Sequence, residues 1–323
     1  MNFFRIITAV VFLLGSGTLL HAQIPQPISL IASPSSPSSG QKFTVQAATP
    51  TTDSDTATFR WTVNGIAQPD ASGIGKHTIA LTAGSLGSET RVAVSIAHAR
   101  GIQSASLVVR VSDLALTWFA ETYVPPWYRG KALPSQNAVV NFVAMPRIII
   151  DGAAVPPERL IYQWSLDGEG NALRGLGERI FRIRTLDLPG ATHTVRVTVE
   201  DSNRRVHKEA LAIIVPTSPR IALYAATPLG GVEPRAARSF LSLGLGILTD
   251  FQAEPFFFPV SSRRDLSYRW TVGGRAIAGQ PENPSLLTLN TGAKAGTIPI
   301  SILIDDREQF IPSAAGLLNL ILR

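Results

Sequence analysis

A segment with an aromatic residue two positions before a tryptophan occurs three times in this chain, at nearly constant spacing. The tryptophans are Trp61, Trp164 and Trp270, so the segments lie 103 and 106 residues apart. About thirty residues after each tryptophan, apolar β-branched residues occupy alternate positions: Val92, Val94 and Ile96, then Val195, Val197 and Val199, then Ile300, Ile302 and Ile304. Alternation at period two places one face of a strand in a core and the other in water. A repeat of about one hundred residues has the length of one β-sandwich domain.

The three tryptophans have a clear role in such a fold. The two sheets of a sandwich pack about 10 Å apart, and one large indole from a central strand fills the space between them. The chain has no cysteine, so no disulfide can take that place. We therefore predict that Trp61, Trp164 and Trp270 are structural core residues and not exposed platforms for sugar stacking.

The third repeat contains two features that test this pattern. Residues 241–247 alternate apolar side chains with serine and glycine, which predicts one continuous strand upstream of the tryptophan. Pro299 lies in the later alternating run, and proline in a sheet is confined to edges and bulges. A local irregularity is therefore expected around Pro299.

Two stretches of the middle repeat resemble a known family. Residues 190–203 look like its penultimate strand and the turn that follows, and residues 162–168, which end in Asp-Gly, look like its tryptophan strand. The family is that of immunoglobulin-like (Ig-like), and especially PKD-type, domains of bacterial surface proteins. The resemblance implies an all-β fold of three tandem Ig-like (PKD-like) β-sandwich domains, at 23–112, 113–217 and 218–323.

The N-terminal segment predicts export. Arg5 precedes an apolar run from Ile6 to Leu14, and small residues lead to Ala22. This is the layout of a signal peptide, predicted for residues 1–22 with cleavage after Ala22, and an uncut signal anchor is the alternative. The apolar run is short for a membrane span, and no second span is predicted. We expect an extracellular or cell-envelope protein, and the lack of cysteine favours a bacterial source.

The charge pattern argues against nucleic-acid binding. The formal charge is +6, and most of the 29 basic residues are arginines scattered along the sequence. The only adjacent basic pairs are Arg204-Arg205 and Arg263-Arg264. A protein that binds nucleic acid usually carries a basic stripe, so these arginines are interpreted as solvated strand surface.

The sequence lacks the motifs of common enzymes. The five histidines have no metal-ligand spacing, and serine-hydrolase, phosphate-loop and dinucleotide-binding motifs are absent. Acidic residues gather at three places, but none reaches the ligand count of a calcium loop: Asp53 and Asp55, Glu200-Asp201, and Asp305-Asp306. We predict no catalytic residue, no metal site, no cofactor and no enzymatic activity.

The run from Trp118 to Ala132 is the most distinctive segment, because it combines aromatic residues, paired prolines and two cations. It is similar to stretches in envelope proteins encoded beside pilus machinery. Trp, Tyr and Arg dominate binding hot spots, so Trp127, Tyr128 and Arg129 are the candidate partner-binding patch. The alternative is that this segment, near the boundary with the first domain, packs a hinge between two domains.

Two classes of function follow from this organisation. The first is a secreted or cell-envelope structural or adhesive protein that binds or spaces through tandem Ig-like domains, linked to a surface filament such as a pilus. Its partner would be a protein or a glycan at the envelope. The second is a carbohydrate-binding accessory protein or a hydrolase with a cleft on one sandwich. A planar cluster of exposed aromatics, or a pocket with convergent carboxylates, would favour the second class.

Overall fold

A computed structural model describes residues 28–49, 54–98, 101–188, 190–227, 231–237, 239–307 and 313–323. The predicted signal peptide at 1–22 and the acidic residue Asp53 lie outside these ranges. Within them the regular structure consists of β-strands and short 3-10 helices. The all-β fold predicted from the sequence is therefore confirmed. No helix in these ranges has the length and apolar character needed to span a bilayer.

The backbone separates into two compact units. One contains the described residues of Met1–Ile31, Val45–Ile79 and Val92–Leu107, and the other those of Ala32–Thr44, Ala80–Arg91 and Val108–Arg323. The domain boundaries at 112 and 217 stay a prediction. For description, first, second and third domain mean residues 23–112, 113–217 and 218–323.

The first domain has two sheets. Their orders are β1-β2-β6 and β4-β3-β7-β8, and β5 also pairs with β3. Trp61 of β3 lies opposite Val94 of β7, so the tryptophan strand and the alternating strand are neighbours. The strands are β1 (Ser29–Ser33), β2 (Lys42–Ala48), β3 (Thr58–Val63), β4 (Ile66–Ala67), β5 (Gly73–Ile74), β6 (Thr78–Thr82), β7 (Glu89–His98) and β8 (Gly101–Arg110), with a 3-10 helix at Pro69–Ala71.

The second domain repeats this arrangement. Its sheets have the orders β15-β10-β9 and β14-β13-β16-β17, and β11 pairs with β12. One hydrophobic cluster draws on both larger sheets, with Phe142 from one and Trp164 and Val197 from the other. The strands are β9 (Asp113–Ala120), β10 (Val139–Arg147), β11 (Ile149–Ile150), β12 (Ala153–Ala154), β13 (Ile161–Leu166), β14 (Glu169–Leu176), β15 (Ile180–Arg184), β16 (His193–Glu200) and β17 (His207–Ile214), with a 3-10 helix at Pro157–Arg159.

The third domain has the sheet orders β19-β18-β21-β24 and β20-β26-β25-β22-β23. In all three domains the tryptophan strand lies between its hairpin partner and the alternating strand, and this is an Ig-like strand order. The strands are β18 (Arg220–Thr227), β19 (Gly231–Ala237), β20 (Phe240–Leu243), β21 (Leu248–Phe256), β22 (Leu266–Val272), β23 (Arg275–Ile277), β24 (Leu286–Asn290), β25 (Gly296–Asp306) and β26 (Ala314–Leu322), with a 3-10 helix at Arg263–Asp265.

The prediction of one strand over 241–247 is wrong. Strand β20 ends at Leu243 and pairs in parallel with β26, whereas β21 starts at Leu248 in the other sheet. Gly246 adopts φ +71°, a conformation that glycine reaches without strain. The Thr291 hydroxyl donates to the Gly244 carbonyl and accepts from the Ile247 N–H at 2.8 Å. The glycines therefore allow a turn that interrupts the apolar alternation.

The irregularity expected at Pro299 is also absent from the pairing of β25 with β26. The register is continuous from Gly296 to Ile304, with Pro299 opposite Asn319. The Asn319 N–H donates to Ser239, away from Pro299. On its other side Pro299 only accepts a bond, from Gly273 N at 2.9 Å, where β22 has already ended. The proline therefore occupies a position where its missing N–H breaks no ladder bond.

Each tryptophan is buried and makes the same type of hydrogen bond. The indoles of Trp61, Trp164 and Trp270 are at most 1% exposed. Each Nε1–H donates to a backbone carbonyl 14 or 15 residues later, on Lys76 at 2.8 Å, Glu178 at 2.7 Å and Pro284 at 2.9 Å. A buried indole N–H needs such a partner. The repeat thus fixes both the position of the indole and the backbone that approaches it.

In the second and third domains, the tyrosine two positions before the tryptophan makes a second hydrogen bond to the backbone. The hydroxyl of Tyr162 donates to Pro157 O at 3.0 Å, and that of Tyr268 donates to Arg263 O at 3.1 Å. Both acceptors open a 3-10 helix. Burial raises the pKa of Tyr162 to about 12, so this hydroxyl keeps its proton across the physiological range. Phe59 holds the equivalent place in the first domain and has no hydroxyl.

The Trp164→Ala variant is expected to unfold the second domain near ambient temperature. Truncating a buried indole costs about 3–5 kcal/mol, against a total of about 5–15 kcal/mol for a domain. Trp164→Phe is the matched control, because it keeps an aromatic ring in the core while it loses the donor to Glu178 and only part of the ring volume, and it should lower the unfolding temperature less. Calorimetry of the full chain measures both. A Trp164→Ala profile identical to that of the parent would contradict the buried placement.

Candidate functional site: the aromatic joint of the second and third domains

Trp127 and Tyr128 lie in the connection between β9 and β10 and pack against the third domain. The Trp127 ring makes edge contacts with Tyr224 at 5.6 Å and Phe256 at 5.9 Å between ring centroids. The Tyr128 ring contacts Phe256 at 5.5 Å and Phe257 at 6.0 Å. These five residues are called the aromatic joint. Edge-to-face pairs at such distances stabilise beyond the burial of their area.

A short backbone pairing fixes the same connection. The Tyr123 N–H donates to Phe258 O at 2.8 Å, and the Phe257 N–H donates to Tyr123 O at 2.7 Å. Phe257 and Phe258 are fully buried. Phe257 also adopts φ +65°, which is uncommon for a bulky residue and persists only where surrounding contacts impose it. The second and third domains are therefore joined by both hydrogen bonds and ring contacts.

The candidate patch is thus divided between two environments. Trp127 and Tyr128 are half-buried against the third domain, whereas Arg129 is exposed. The sequence placed this segment near the first domain, because Trp118 follows that boundary closely. The long connection from Glu121 to Ala138 instead carries the two rings to the third domain. Nothing local in the sequence identifies Phe256 and Phe257 as their partners.

A buried carboxylate lies beside the joint. Glu254 of β21 is 4% exposed, and its Oε1 is 3.6 Å from Arg263 Nη1. Among the described residues, none donates a hydrogen bond to its Oε2. Burial raises the pKa of the Glu254 carboxyl, and the Arg263 guanidinium offsets only part of that rise. Burial and the Glu254 carboxylate also raise the pKa of the Tyr123 and Tyr224 hydroxyls.

The acidic residues considered for calcium have other partners. Asp201 accepts from Val206 N at 2.9 Å and from Arg205 Nε at 3.0 Å. Burial alone would raise the pKa of Asp201, but these hydrogen bonds outweigh it and lower the pKa. The described ranges contain no group of three or more His, Cys, Asp or Glu residues placed to hold a metal ion. Two more strand-end acids have side-chain partners: Glu200 with His207 and Asp305 with Arg269.

His193 and Asp167 form a pair that resembles part of a catalytic dyad but is fully used in the fold. His193 is buried, and its Nδ1 lies 2.8 Å from Asp167 Oδ2. Its Nε2 accepts from the Leu186 N–H at 3.2 Å. The other Asp167 oxygen accepts from Thr194 N at 2.7 Å. Both ring nitrogens of His193 are therefore engaged in hydrogen bonds that link Asp167 to the backbone at Leu186. Neither nitrogen is left to act as a base.

A second set of contacts ties the serine-rich segment of the first domain to β17. Lys208 is buried, and its Nζ donates to Ser36 O at 2.8 Å and Ser38 Oγ at 2.9 Å. The His207 N–H donates to Ser36 Oγ at 3.0 Å. Burial lowers the pKa of Lys208, and the nearby Asp113 carboxylate offsets part of this. The serine-rich segment around Ser36 and Ser38 therefore contacts β17 through several hydrogen bonds.

Three cavities of about 490 to 610 Å³ lie on the second compact unit. The first covers β22, β25 and β26 and has no carboxylate in its lining. The second is lined by one carboxylate, Glu282, and the third by one, Glu121. Glycoside hydrolysis usually needs two carboxyl groups facing each other. None of these three cavities provides that pair.

No family model matches the sequence, and no curated protein matches it. The three N-terminal domains of the highly immunogenic outer capsid protein (Hoc) of bacteriophage RB49 share 12% identity, with a TM-score of 0.26, over 92% of this chain and 98% of that chain.

Two further solved structures are similar to a comparable degree. SGBP-B of the Bacteroides ovatus mixed-linkage glucan utilization locus, solved with a mixed-linkage heptasaccharide, shares 10% identity over 88% of this chain and 64% of that chain, with a TM-score of 0.21. A titin I-band fragment shares 10% identity over 92% and 99%, with a TM-score of 0.22. Such identities and TM-scores give no basis for transferring a function or partner.

Glu254 is expected to make the stability of the third domain depend on pH. Its pKa in the folded chain exceeds its pKa in the unfolded chain, so the folded state binds the proton more tightly. The resulting stabilisation is complete below the ordinary carboxyl pKa and is lost as the pH rises through the raised pKa. Glu254→Gln should remove this component from the pH profile of the unfolding free energy.

Glu209→Gln is the matched control, because Glu209 is exposed on β17. The unfolding free energy of this control variant should decline between acidic and neutral pH as it does in the parent chain. Denaturant unfolding at a series of pH values measures all three proteins. A Glu254→Gln profile with the same decline as the parent would disprove the assignment.

Proposed function

We propose that this chain is an exported cell-envelope protein that spaces or binds surfaces through tandem Ig-like domains and is not an enzyme. The domains are proposed to be of the bacterial PKD type and linked to a surface filament such as a pilus. The partner is a protein or a glycan at the envelope. The aromatic joint carries this proposal, because a spacer needs neighbouring domains held in one arrangement.

The linker between the second and third domains supports the same conclusion. Residues 215–219 are short and contain two prolines, and proline-rich linkers act as semi-rigid spacers. The Tyr123 backbone pairing and the ring contacts of Trp127 and Tyr128 add links far from this linker in sequence. Connections at two separate points restrict a hinge much more than one linker does.

The second candidate function is that of a carbohydrate-binding accessory protein that does not hydrolyse its ligand, and one observation favours it. The cavity of about 550 Å³ beside β10 and β15 is lined by Arg182, Arg184 and Asn137, which are side chains suited to hydrogen bonds with a polar ligand. Hydrolysis has no comparable support, because the same cavity contains a single carboxylate, Glu121.

The double substitution Trp127→Ser and Tyr128→Ser is expected to free the third domain from the second. The native chain has no cysteine, so cysteines introduced at exposed Arg174 and Lys294 can carry unique spin labels. The parent should show one narrow distance distribution, and the double variant a broad one. Pulsed electron resonance measures both distributions.

Arg129→Ser is the matched control, since Arg129 is the neighbouring exposed residue. It should keep the narrow distribution. A broad distribution in the parent chain would contradict the spacer proposal. So would a double variant that stays as narrow as the parent, because the rings would then contribute nothing to the arrangement.

A further inference from the structure

We propose that the outward face of the β9-β10-β15 sheet binds an acidic oligosaccharide where this sheet meets residues 259–261 of the third domain. The assignment rests on the proposed function, because it names the class of glycan that the exported chain would bind. The binding surface is called the arginine face and consists of the exposed residues Phe119, Glu121, Arg182 and Arg184 around Asn141, which is only 8% exposed.

Strand register places these side chains together. Phe119 of β9 lies opposite Asn141 of β10, and Asn141 lies opposite Arg182 of β15. Directly opposed residues of antiparallel strands share a face of the sheet, with Cβ atoms about 5 Å apart. Arg184 lies two residues after Arg182 on β15, and Glu121 lies two residues after Phe119, one position past the end of β9, where its N–H still donates to Val139 O. Both continue on the same face, because side chains alternate at period two. The arginine face is therefore one continuous surface on three strands.

A cavity of about 550 Å³ covers the polar end of this surface. Its lining includes Glu121, Arg182 and Arg184 from the second domain and Pro259 and Ser261 from the third. The Tyr123 and Phe258 backbone pairing lies next to both wall segments in sequence and fixes them. A ligand there would meet groups from two domains that are already held together.

The polar groups of the arginine face are organised in advance. Glu121 Oε1 accepts from Asn141 Nδ2 at 2.8 Å, and Glu121 Oε2 accepts from Arg182 Nη2 at 2.8 Å. Arg184 Nη1 donates to Asn137 O at 2.8 Å. A guanidinium has five N–H donors, so each arginine has further donors besides the one used in its bond. Glu121 balances one of the two positive charges, and the surface keeps a net positive charge from the other.

The third domain adds positive charge near the same place. The connection from β21 to β22 supplies Pro259 and Ser261 to this cavity, and it also supplies Arg263 and Arg264 to the neighbouring cavity of about 490 Å³. Arg307 lines that cavity as well. Arginine pairs with carboxylate and sulfate oxygens through charge-assisted hydrogen bonds.

The apolar end of the surface favours a sugar over a simple anion. Phe119 is 51% exposed, and Ile180 and Met145 on neighbouring strands are 50% and 47% exposed. A pyranose ring has an apolar C–H face that packs on an aromatic ring, and hydroxyls that match Asn and Ser groups. An apolar platform next to paired arginines is suited to a sugar that carries a carboxylate or a sulfate.

Isothermal titration with defined tetrasaccharides tests this assignment. Tetragalacturonate carries carboxylates, a heparin-derived tetrasaccharide carries sulfates, and maltotetraose is neutral. We expect an acidic tetrasaccharide to bind, and its affinity to fall with added salt because the pairs are partly exposed. Arg184→Ala, which leaves the Glu121 and Arg182 pair intact, should weaken binding by about tenfold or more, as should Phe119→Ser.

Arg196→Ala is the matched control variant. Arg196 lies on β16 in the opposite sheet and pairs with Glu209, as Arg182 pairs with Glu121. The affinity of this variant for the acidic tetrasaccharide should stay within about twofold of the parent's affinity, because a distant substitution has little effect on the binding site. Equal unfolding temperatures of the variants establish that the fold is intact.

Several results would overturn the assignment. They are no binding of either acidic tetrasaccharide, equal binding of maltotetraose, equal binding of tetraglutamate, or an equal loss of affinity in Arg196→Ala. Spin-label distances measured on the same preparation distinguish a wrong ligand assignment from a wrong spacer proposal. Absent binding with a narrow interdomain distance removes the ligand assignment alone, whereas a broad distance removes the spacer proposal.

Discussion

The backbone pairing of Tyr123 with Phe257 and Phe258 is the interaction on which the functional geometry of this chain depends. It brings the connection after β9 to the third domain and places Trp127 and Tyr128 against Phe256 and Phe257. A buried carboxylate, Glu254, lies beside this contact, and no residue in the described part of the chain donates a hydrogen bond to its Oε2. A buried carboxylate lowers the free energy of unfolding unless neighbouring groups compensate for its lost hydration. Its presence here indicates that the surrounding contacts stabilise this region enough to offset that loss.

The sequence was sufficient to predict the cores but not their connections. Trp164 and the alternating valines of β16 identify a sandwich strand pair from local pattern alone, because burial imposes period two. The backbone carbonyl that accepts the hydrogen bond from each indole N–H, such as Glu178 O, could not be predicted. A backbone carbonyl is the same in every residue, so the sequence does not mark it. The same holds for Phe256 as partner of Trp127, since a contact between distant segments leaves no local periodicity. At 241–247 the alternation was real, but Gly246 allowed a turn that the pattern does not encode.

The residues with the strongest binding signature in the sequence therefore act mainly inside the molecule. The rings of Trp127 and Tyr128 pack in the aromatic joint and are half-buried, whereas Arg129 of the candidate patch is exposed. The surface available to a partner lies instead on the outward face of β9, β10 and β15, where Phe119 and Arg182 had no distinguishing motif. Strand register, which is a property of the fold, is what assembles that surface.

Native-state hydrogen exchange at the Tyr123 and Phe257 amides measures the interdomain pairing itself, because these two N–H groups form it. We expect both amides to be protected to a degree similar to the core amides of β13 and β21, since their exposure requires separation of the domains. Exchange of both amides as fast as that of exposed loop amides, with the strand amides still protected, would show that this pairing does not hold the two domains together.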